Sequence, residues 1–167
     1  MRTHTLGARA FIISAALAGA VLFSIAPSTP ASAATVTTEA QQIIQIAKRQ
    51  IGDPWRYAAD GPGAFDCSGL VRFAYRQAGD GPVIRAGDLR SARSIYYWFK
   101  RHGKASRYNP RIGDLVVWGY GSHIGIYIGD GKAISTLNSG VRVHGVHAVT
   151  ARFTAYLHTG MSTRPAS

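Results

Sequence analysis

The hydrophobic pattern of this chain changes its period at about Gly103, and this change limits the folds that the chain can adopt. Before that point, apolar residues recur every three or four positions in three segments, which is the spacing of amphipathic helices. After it come short runs rich in β-branched and aromatic residues, separated by Gly, Asn and Asp turns, which are typical of strands. The predicted strands are 114–118, 124–128, 132–136, 141–146 and 153–158. Helices followed by an antiparallel meander predict an α+β domain.

Each of the three predicted helices has recognisable signals at its ends. A threonine can cap the first helix, an aspartate can cap the second, and a glycine can end the first and the third. On the second helix, the spacing places Arg72 and Arg76 outside the buried stripe. The predicted bounds are Thr37 or Thr38 to Gly52, Asp66 to Gln77 or Ala78, and Leu89 to His102 with Gly103 as the stop.

The first 33 residues are predicted to be a secretory signal peptide. Arg2 and Arg9 form a positive start, residues 10–26 are uncharged and mostly apolar, and Ala31-Ser32-Ala33 supplies a cleavage site. Cleavage would leave 134 residues, enough for one domain with a core. Because no second apolar stretch follows, we expect a secreted protein that no longer contacts the membrane after cleavage. We also expect it to be a monomer.

The chain is strongly basic, with 19 Lys and Arg against 8 Asp and Glu. Without Arg2 and Arg9 the count becomes 17 against 8, a net charge of +9. Such a surface favours a polyanion, and outside the membrane an anionic cell-wall polymer is a better candidate than nucleic acid. The basic residues are scattered and form no long run, so the sequence predicts no nucleic-acid-binding arm. Solubility alone is the alternative explanation of the charge.

Cys67 is the only cysteine of the chain and therefore cannot form an internal disulfide. It is either a buried filler or a reactive thiol. Asp66 can cap a helix and would place Cys67 in its first turn, where the helix dipole lowers a thiol pKa. His123, at the start of a strand-like run, is a plausible base. A cysteine at a helix start and a histidine on a sheet are the arrangement of a papain-like thiol hydrolase. Apart from His144 and His147, no pair of His or Cys has metal-ligand spacing, so we expect no metal, and we expect no cofactor.

Three motifs resemble those of the NlpC-type cysteine peptidases of bacterial cell walls. They are Asp66-Cys67-Ser68-Gly69-Leu70 with the preceding Ile51 to Tyr57, then Ile112 to Val116, and then Ser122 to Gly129. The resemblance covers about residues 38–158. It implies a papain-like α+β fold in which N-terminal helices pack on a C-terminal antiparallel sheet. The catalytic domain would be 34–160, followed by a loose tail at 161–167.

The same resemblance implies hydrolysis of amide bonds in peptidoglycan stem peptides, typically between D-γ-glutamyl and a diamino acid. Cys67 matches the nucleophile and His123 the base, and the family's third polar position, usually His, is Ser135 here. Ser135 ranks first as the residue that orients His123, ahead of His144 and Asn138. The predicted substrate-binding residues are Trp55, Tyr57, Asp66, Ser68 and Ser122.

The turn at 129–131 also predicts where Ser135 lies. Pairing Ile128 with Lys132 sets Gly125 opposite Ser135, so that residues 123, 125 and 135 share a face of the sheet. Serine is a weaker partner for a histidine than the usual family residue. The alternative function is therefore a peptidoglycan-binding module with weak or no turnover. The segment 79–108 is either a wall of the substrate cleft or a packed helix.

Overall fold

The structure, a computed structural model, describes residues 37–166 of the chain. The predicted signal peptide lies outside the described residues. None of the helices within 37–166 has the length and apolar character needed to span a bilayer.

The described residues form three α-helices followed by six strands, which confirms the α+β prediction. One core cluster lies between the helices and one face of the sheet, and a second, built around Trp118 and Tyr156, covers the other face. The helices are α1 (Glu39–Lys48), α2 (Cys67–Gln77) and α3 (Ala92–Arg101), and the strands are β1 (Ala105–Ser106), β2 (Leu115–Trp118), β3 (His123–Gly129), β4 (Lys132–Leu137), β5 (Gly140–Gly145) and β6 (Phe153–Leu157).

The sheet is antiparallel and has the strand order β1-β6-β2-β3-β4-β5. Strands β2 to β5 form the predicted meander, but β6 returns to the other side of β2. This return covers an edge of β2 that would otherwise expose unpaired backbone groups. The connection 146–152, which leads into β6, crosses the end of the sheet. Part of this connection lines the cleft described below.

Helix α1 starts as predicted and ends earlier than predicted. Thr38 and Gln41 form a capping box at its start. The helix stops at Lys48, and Ile51 is exposed rather than part of the buried face. Gly52 belongs to the following turn, where it has a φ of +98° and donates its N–H to the carbonyl of Val141 at 2.9 Å. This bond to β5 draws the chain away from the helix axis.

Arg72 on α2 is buried, although the helical spacing places it outside the packed stripe. Its guanidinium forms an ion pair with Asp60 at 3.2 Å and donates to the carbonyl of Ala86 at 3.1 Å. A buried charge is tolerated when it is paired and hydrogen-bonded. Arg72 therefore connects the loop before α2 to the segment after it.

Helix α3 begins three residues later than predicted, at Ala92, because Ser91 is its cap. Its packing face is the predicted one: Ile95, Tyr96 and Phe99 are buried and Trp98 is partly buried. The first turn lies against the loop before β3, since a Cβ built on Gly121 would come within 2.6 Å of the Cα of Arg93.

Segment 161–166 packs against α1, whereas the sequence predicts a loose tail from 161 to 167. Met161 is buried. The carbonyl of Arg164 accepts the N–H of Glu39 at 2.9 Å, and the N–H of Ala166 donates to the carbonyl of Thr37 at 2.8 Å. The first N–H groups of a helix lack partners inside the helix, and here the tail supplies one.

Candidate active site

Helix α2 places Cys67 at its first position, as the sequence predicts. The carboxylate of Asp66 caps the helix by accepting the N–H of Gly69 at 2.6 Å, and it also accepts the hydroxyl of Ser68 at 2.9 Å. Cys67 is partly buried and lines a cleft of about 750 Å³. The cap therefore fixes the backbone that carries the thiol.

The pKa of the Cys67 thiol lies above its ordinary value, and the main cause is burial. The backbone N–H of Ile124 acts in the opposite direction, while the Asp66 carboxylate raises the pKa further. The backbone N–H groups of Cys67 and Ser68 at the helix start do lower the pKa, as expected, but burial outweighs them and the net shift is upward. A helix terminus contributes about 1 kcal/mol, and desolvation of a thiolate costs more than that.

His123 is the first residue of β3 and lines the same cleft as Cys67. The pKa of His123 is lowered to about 4, mainly by burial and in addition by the neighbouring His144. At neutral pH the ring is therefore uncharged and has a free lone pair. The cleft thus carries a thiol whose pKa is raised and an imidazole whose pKa is lowered, a combination that suits general-base activation of the thiol.

The register between β3 and β4 brings Ser135 to His123. Ile126 pairs with Ile134, which sets Gly125 opposite Ser135 as predicted. Close to the turn the prediction is wrong, because an irregularity after Tyr127 pairs Lys132 with Gly129 instead of Ile128. The irregularity is confined to the turn.

Ser135 is fully buried and lies between two histidines. Its Oγ is 2.9 Å from Nε2 of His123 and 2.7 Å from Nε2 of His144. Nδ1 of His144 is in turn 2.9 Å from the carbonyl oxygen of Gly145. Two of the three predicted orienting residues thus belong to one chain of hydrogen bonds, with Ser135 in direct contact with His123 and His144 behind it. Asn138 is exposed at the rim of the cleft.

The predicted substrate-binding residues all line the cleft, but they are not equally accessible. Trp55 and Tyr57 are 44% and 83% exposed, so their rings are free to contact a ligand. Ser122 is exposed as well. Ser68 is buried, and its hydroxyl is 3.1 Å from the carbonyl oxygen of Arg90. This contact stabilises the local fold.

The cleft wall has three further parts, of which the sequence analysis offered the first as one of two alternatives and missed the other two. Ser91 and Ala92, at the start of α3, line the cleft, so the segment 79–108 contributes a wall in addition to packing. The other two parts are residues 136–139 after Ser135 and 148–151 before β6. The sequence signal for 136–139 was present, since this segment follows a predicted strand and contains Asn138 and Ser139, whereas 148–151 carries no turn residue.

The described part of the chain contains no cluster of three or more His, Cys, Asp or Glu side chains suited to a metal ion. In the cleft, Cys67 offers a thiol, His123 offers an imidazole, and the start of α2 offers backbone N–H groups. This set suits acyl transfer through a covalent thioester.

Known proteins resemble this chain in both sequence and fold. A probable endopeptidase from Corynebacterium glutamicum (strain R) is 37% identical over 116 residues, which are 68% of this chain and 50% of that protein. The murein DD-endopeptidase MepH of Escherichia coli (strain K12) is 32% identical over 101 residues, or 57% of this chain and 35% of MepH. This chain thus matches half or less of the length of these relatives.

The solved structure of RipD from Mycobacterium tuberculosis, described as a non-catalytic NlpC/p60 domain protein adapted to peptidoglycan binding, superposes with a TM-score of 0.57. It is 26% identical, and the match covers 73% of this chain and 97% of RipD. The papain-like α+β fold implied by the three motifs is confirmed. The model of the NlpC/P60 family matches residues 52–158, and the chain therefore belongs to that family.

Proposed function

We propose that this protein is an exported cysteine peptidase that hydrolyses amide bonds in peptidoglycan stem peptides. The observation that carries the proposal is the position of Cys67 and His123 on one cleft, with Ser135 hydrogen-bonded to Nε2 of the histidine ring. The family and the names of the endopeptidase relatives support it. Export rests on the predicted signal peptide.

The reaction follows from the protonation states of the two groups. His123 accepts the thiol proton as the sulfur attacks the carbonyl carbon, and backbone N–H groups at the start of α2 face the developing oxyanion. His123 then donates that proton to the leaving amine, which leaves a thioester on Cys67. A water molecule that is deprotonated by His123 hydrolyses the thioester, releasing a carboxylate and restoring the thiol.

The bond between D-γ-glutamyl and the diamino acid is our first choice of scissile bond. It is the bond implied by the motifs around Cys67 and His123. The name of MepH points to a DD bond in that protein, so a DD cross-link is the second choice. The exposed Trp55 and Tyr57 can hold an extended peptide in the cleft through contacts with its backbone and apolar groups.

The assay is release of new amino groups from purified peptidoglycan. We expect the wild-type protein to release them in the presence of a metal chelator, and we expect Cys67→Ala to release none while keeping its fold by circular dichroism. Mass spectrometry of fragments from defined muropeptides then identifies the bond. Undiminished release by Cys67→Ala would contradict the thiol mechanism.

A peptidoglycan-binding module without turnover is the second candidate. It is favoured by two observations: RipD is a non-catalytic protein of the same fold, and the partner of His123 is a neutral hydroxyl. Sedimentation with purified peptidoglycan separates the candidates, because a module sediments with the wall and releases no amines. We expect the positive net charge to favour anionic wall polymers, so that the bound fraction falls as salt rises.

A further inference from the structure

We propose that His144 is a positioning residue that acts through Ser135 to set the tautomer of His123. This inference deepens the proposed function and rests on it, since the tautomer matters only if His123 is the base. Three hydrogen bonds carry it, joining Gly145, His144, Ser135 and His123 in that order. Starting from Gly145, the donor or acceptor character of each atom determines which atom of the next group carries a hydrogen.

The carbonyl of Gly145 determines which ring nitrogen of His144 carries a hydrogen. A carbonyl oxygen can only accept, so Nδ1 of His144, 2.9 Å away, must carry a hydrogen. In a neutral ring the other nitrogen then has a lone pair. Nε2 of His144, 2.7 Å from Oγ of Ser135, is therefore an acceptor, and the serine hydroxyl donates to it.

The Ser135 hydroxyl has a single hydrogen, and the direction of this hydrogen determines which ring nitrogen of His123 is protonated. Once that hydrogen points to His144, Oγ can only accept from His123. Nε2 of His123, 2.9 Å away, must then carry a hydrogen. The lone pair of neutral His123 is left on Nδ1, the nitrogen on the side of the ring away from Ser135. That lone pair is what a general base needs to take the thiol proton.

Packing holds all four groups in place. The buried indole of Trp118 lies against both imidazoles, with ring centroids 5.2 Å from His123 and 5.6 Å from His144. Its N–H donates to the carbonyl of Val146 at 2.7 Å, which anchors the backbone directly after Gly145. One side chain thus supports both rings and the carbonyl at which the chain of hydrogen bonds starts.

The strand register explains why a serine suffices at position 135. Ala133 on β4 pairs with His144 on β5, so His144 is a diagonal neighbour of Ser135 on the same face. On the other side, a Cβ at Gly125 would be only 2.8 Å from the Cβ of Ser135, so β3 approaches β4 closely here. A short side chain fills this narrow space, and the imidazole of His144 occupies the position beyond it.

The direct test is nitrogen-15 NMR of the histidine side chains of the complete protein at neutral pH, without substrate. We expect His123 to carry its hydrogen on Nε2 and His144 to carry its hydrogen on Nδ1. The opposite tautomer at either ring would overturn the proposal. This measurement needs no variant and therefore does not depend on the folding of one.

Two substitutions at His144 add a kinetic test. His144→Phe keeps an aromatic ring against Trp118 but removes the acceptor, and we expect kcat to fall about fivefold to tenfold with little change in KM, because one neutral hydrogen bond is lost. His144→Gln restores an acceptor oxygen, and we expect it to recover kcat to within about twofold of wild type. The matched control is His147→Phe, at an exposed histidine three residues further on, which should behave as wild type.

The outcomes separate this proposal from the proposed function. If His144→Phe keeps the wild-type kcat and the wild-type tautomer of His123, then His144 does not position the base and the proposal is wrong. If no peptidoglycan is hydrolysed at all, the proposed function fails, while the tautomers measured without substrate still decide whether His144 sets the state of His123.

Discussion

At the scale of single residues, the state of His123 depends on the Ser135 hydroxyl. That hydroxyl is fully buried and is the only contact within the described residues that links the two imidazoles by hydrogen bonds. It carries no charge, so the imidazolium formed during attack has a weaker partner than a carboxylate would provide. The low pKa of His123 is consistent with this neutral environment.

Replacing Ser135 by Ala is expected to lower kcat about tenfold, because a neutral hydrogen bond of about 1 kcal/mol is lost. It also leaves two partly buried ring nitrogens without a partner, so the free energy of unfolding should fall by about 1–2 kcal/mol. Steady-state kinetics and denaturant unfolding measure the two effects. Thr163→Ala, at an exposed hydroxyl outside the cleft, is the control. An unchanged kcat in Ser135→Ala would show that Ser135 does not contribute to catalysis.

The raised pKa of Cys67 predicts how the thiol reacts with an alkylating agent in the absence of substrate. Only the thiolate reacts, so the rate of modification by iodoacetamide should rise through neutral pH and reach half its maximum above the ordinary thiol pKa. Asp66→Asn keeps an oxygen that can cap α2 but removes the charge, so its midpoint should shift to lower pH. A rate that is already constant between pH 5 and 7 would indicate a thiolate–imidazolium pair instead.

At the scale of elements, the close contact between β3 and β4 determines the geometry of the site. Gly125 allows this contact, because a Cβ there would lie 2.8 Å from the Ile134 carbonyl oxygen and 2.8 Å from the Cβ of Ser135. Real Cβ atoms do not approach other atoms so closely, so a side chain would separate the strands. The distance between Ser135 and His123 would then increase.

Gly125→Ala is therefore expected to lower kcat more than tenfold and to destabilise the fold by about 1–3 kcal/mol. Gly87→Ala is the matched control, because a Cβ at Gly87 would meet nothing within 4 Å. Kinetics and thermal unfolding of both variants measure the effect. Wild-type activity in Gly125→Ala would show that the sheet can yield at this point without disturbing the site.

Some of this site follows from the sequence and some does not. The cap at Asp66 and the pairing of β3 with β4 are local, so residue spacing predicted the positions of Cys67, His123 and Ser135. The place of His144 depends on how β5 pairs with β4, and residue spacing did not specify that register. The pKa of Cys67 was predicted with the wrong sign, because burial depends on the whole tertiary structure and the helix dipole does not.

At the scale of the whole molecule, the C-terminal segment closes the fold against α1. Arg164 lies 3.3 Å from a carboxylate oxygen of Asp80 and 3.9 Å from one of Glu39. Both carboxyl groups are buried, and the second oxygen of each has no hydrogen-bond partner among residues 37–166. Burial raises the pKa of Asp80 to about 6, and Glu39 contributes to the shift.

Arg164→Ala should destabilise the protein by about 1–2 kcal/mol at pH 7.5 and by less at pH 5, because it removes the cation beside two buried carboxyl groups. An acid whose pKa is raised by folding binds more protons in the folded state, so folding loses stability as pH rises through this range. Without Arg164 that loss should increase and extend to higher pH. Denaturant unfolding at the two pH values tests this, with Arg152→Ala as the exposed control. An equal effect at both pH values would exclude the carboxyl groups as the cause.

The central claim is that Cys67 forms a thioester with part of a stem peptide, and acid-quenched intact-protein mass spectrometry tests it most directly. During turnover of a defined muropeptide, we predict a mass increase of the intact protein, equal to the mass of the donor acid less water. The value of this increase also identifies the bond that is cut. No adduct should form in Cys67→Ala. Hydrolysis of the muropeptide by the wild-type protein with no adduct at Cys67, together with full activity of Cys67→Ala, would contradict the account.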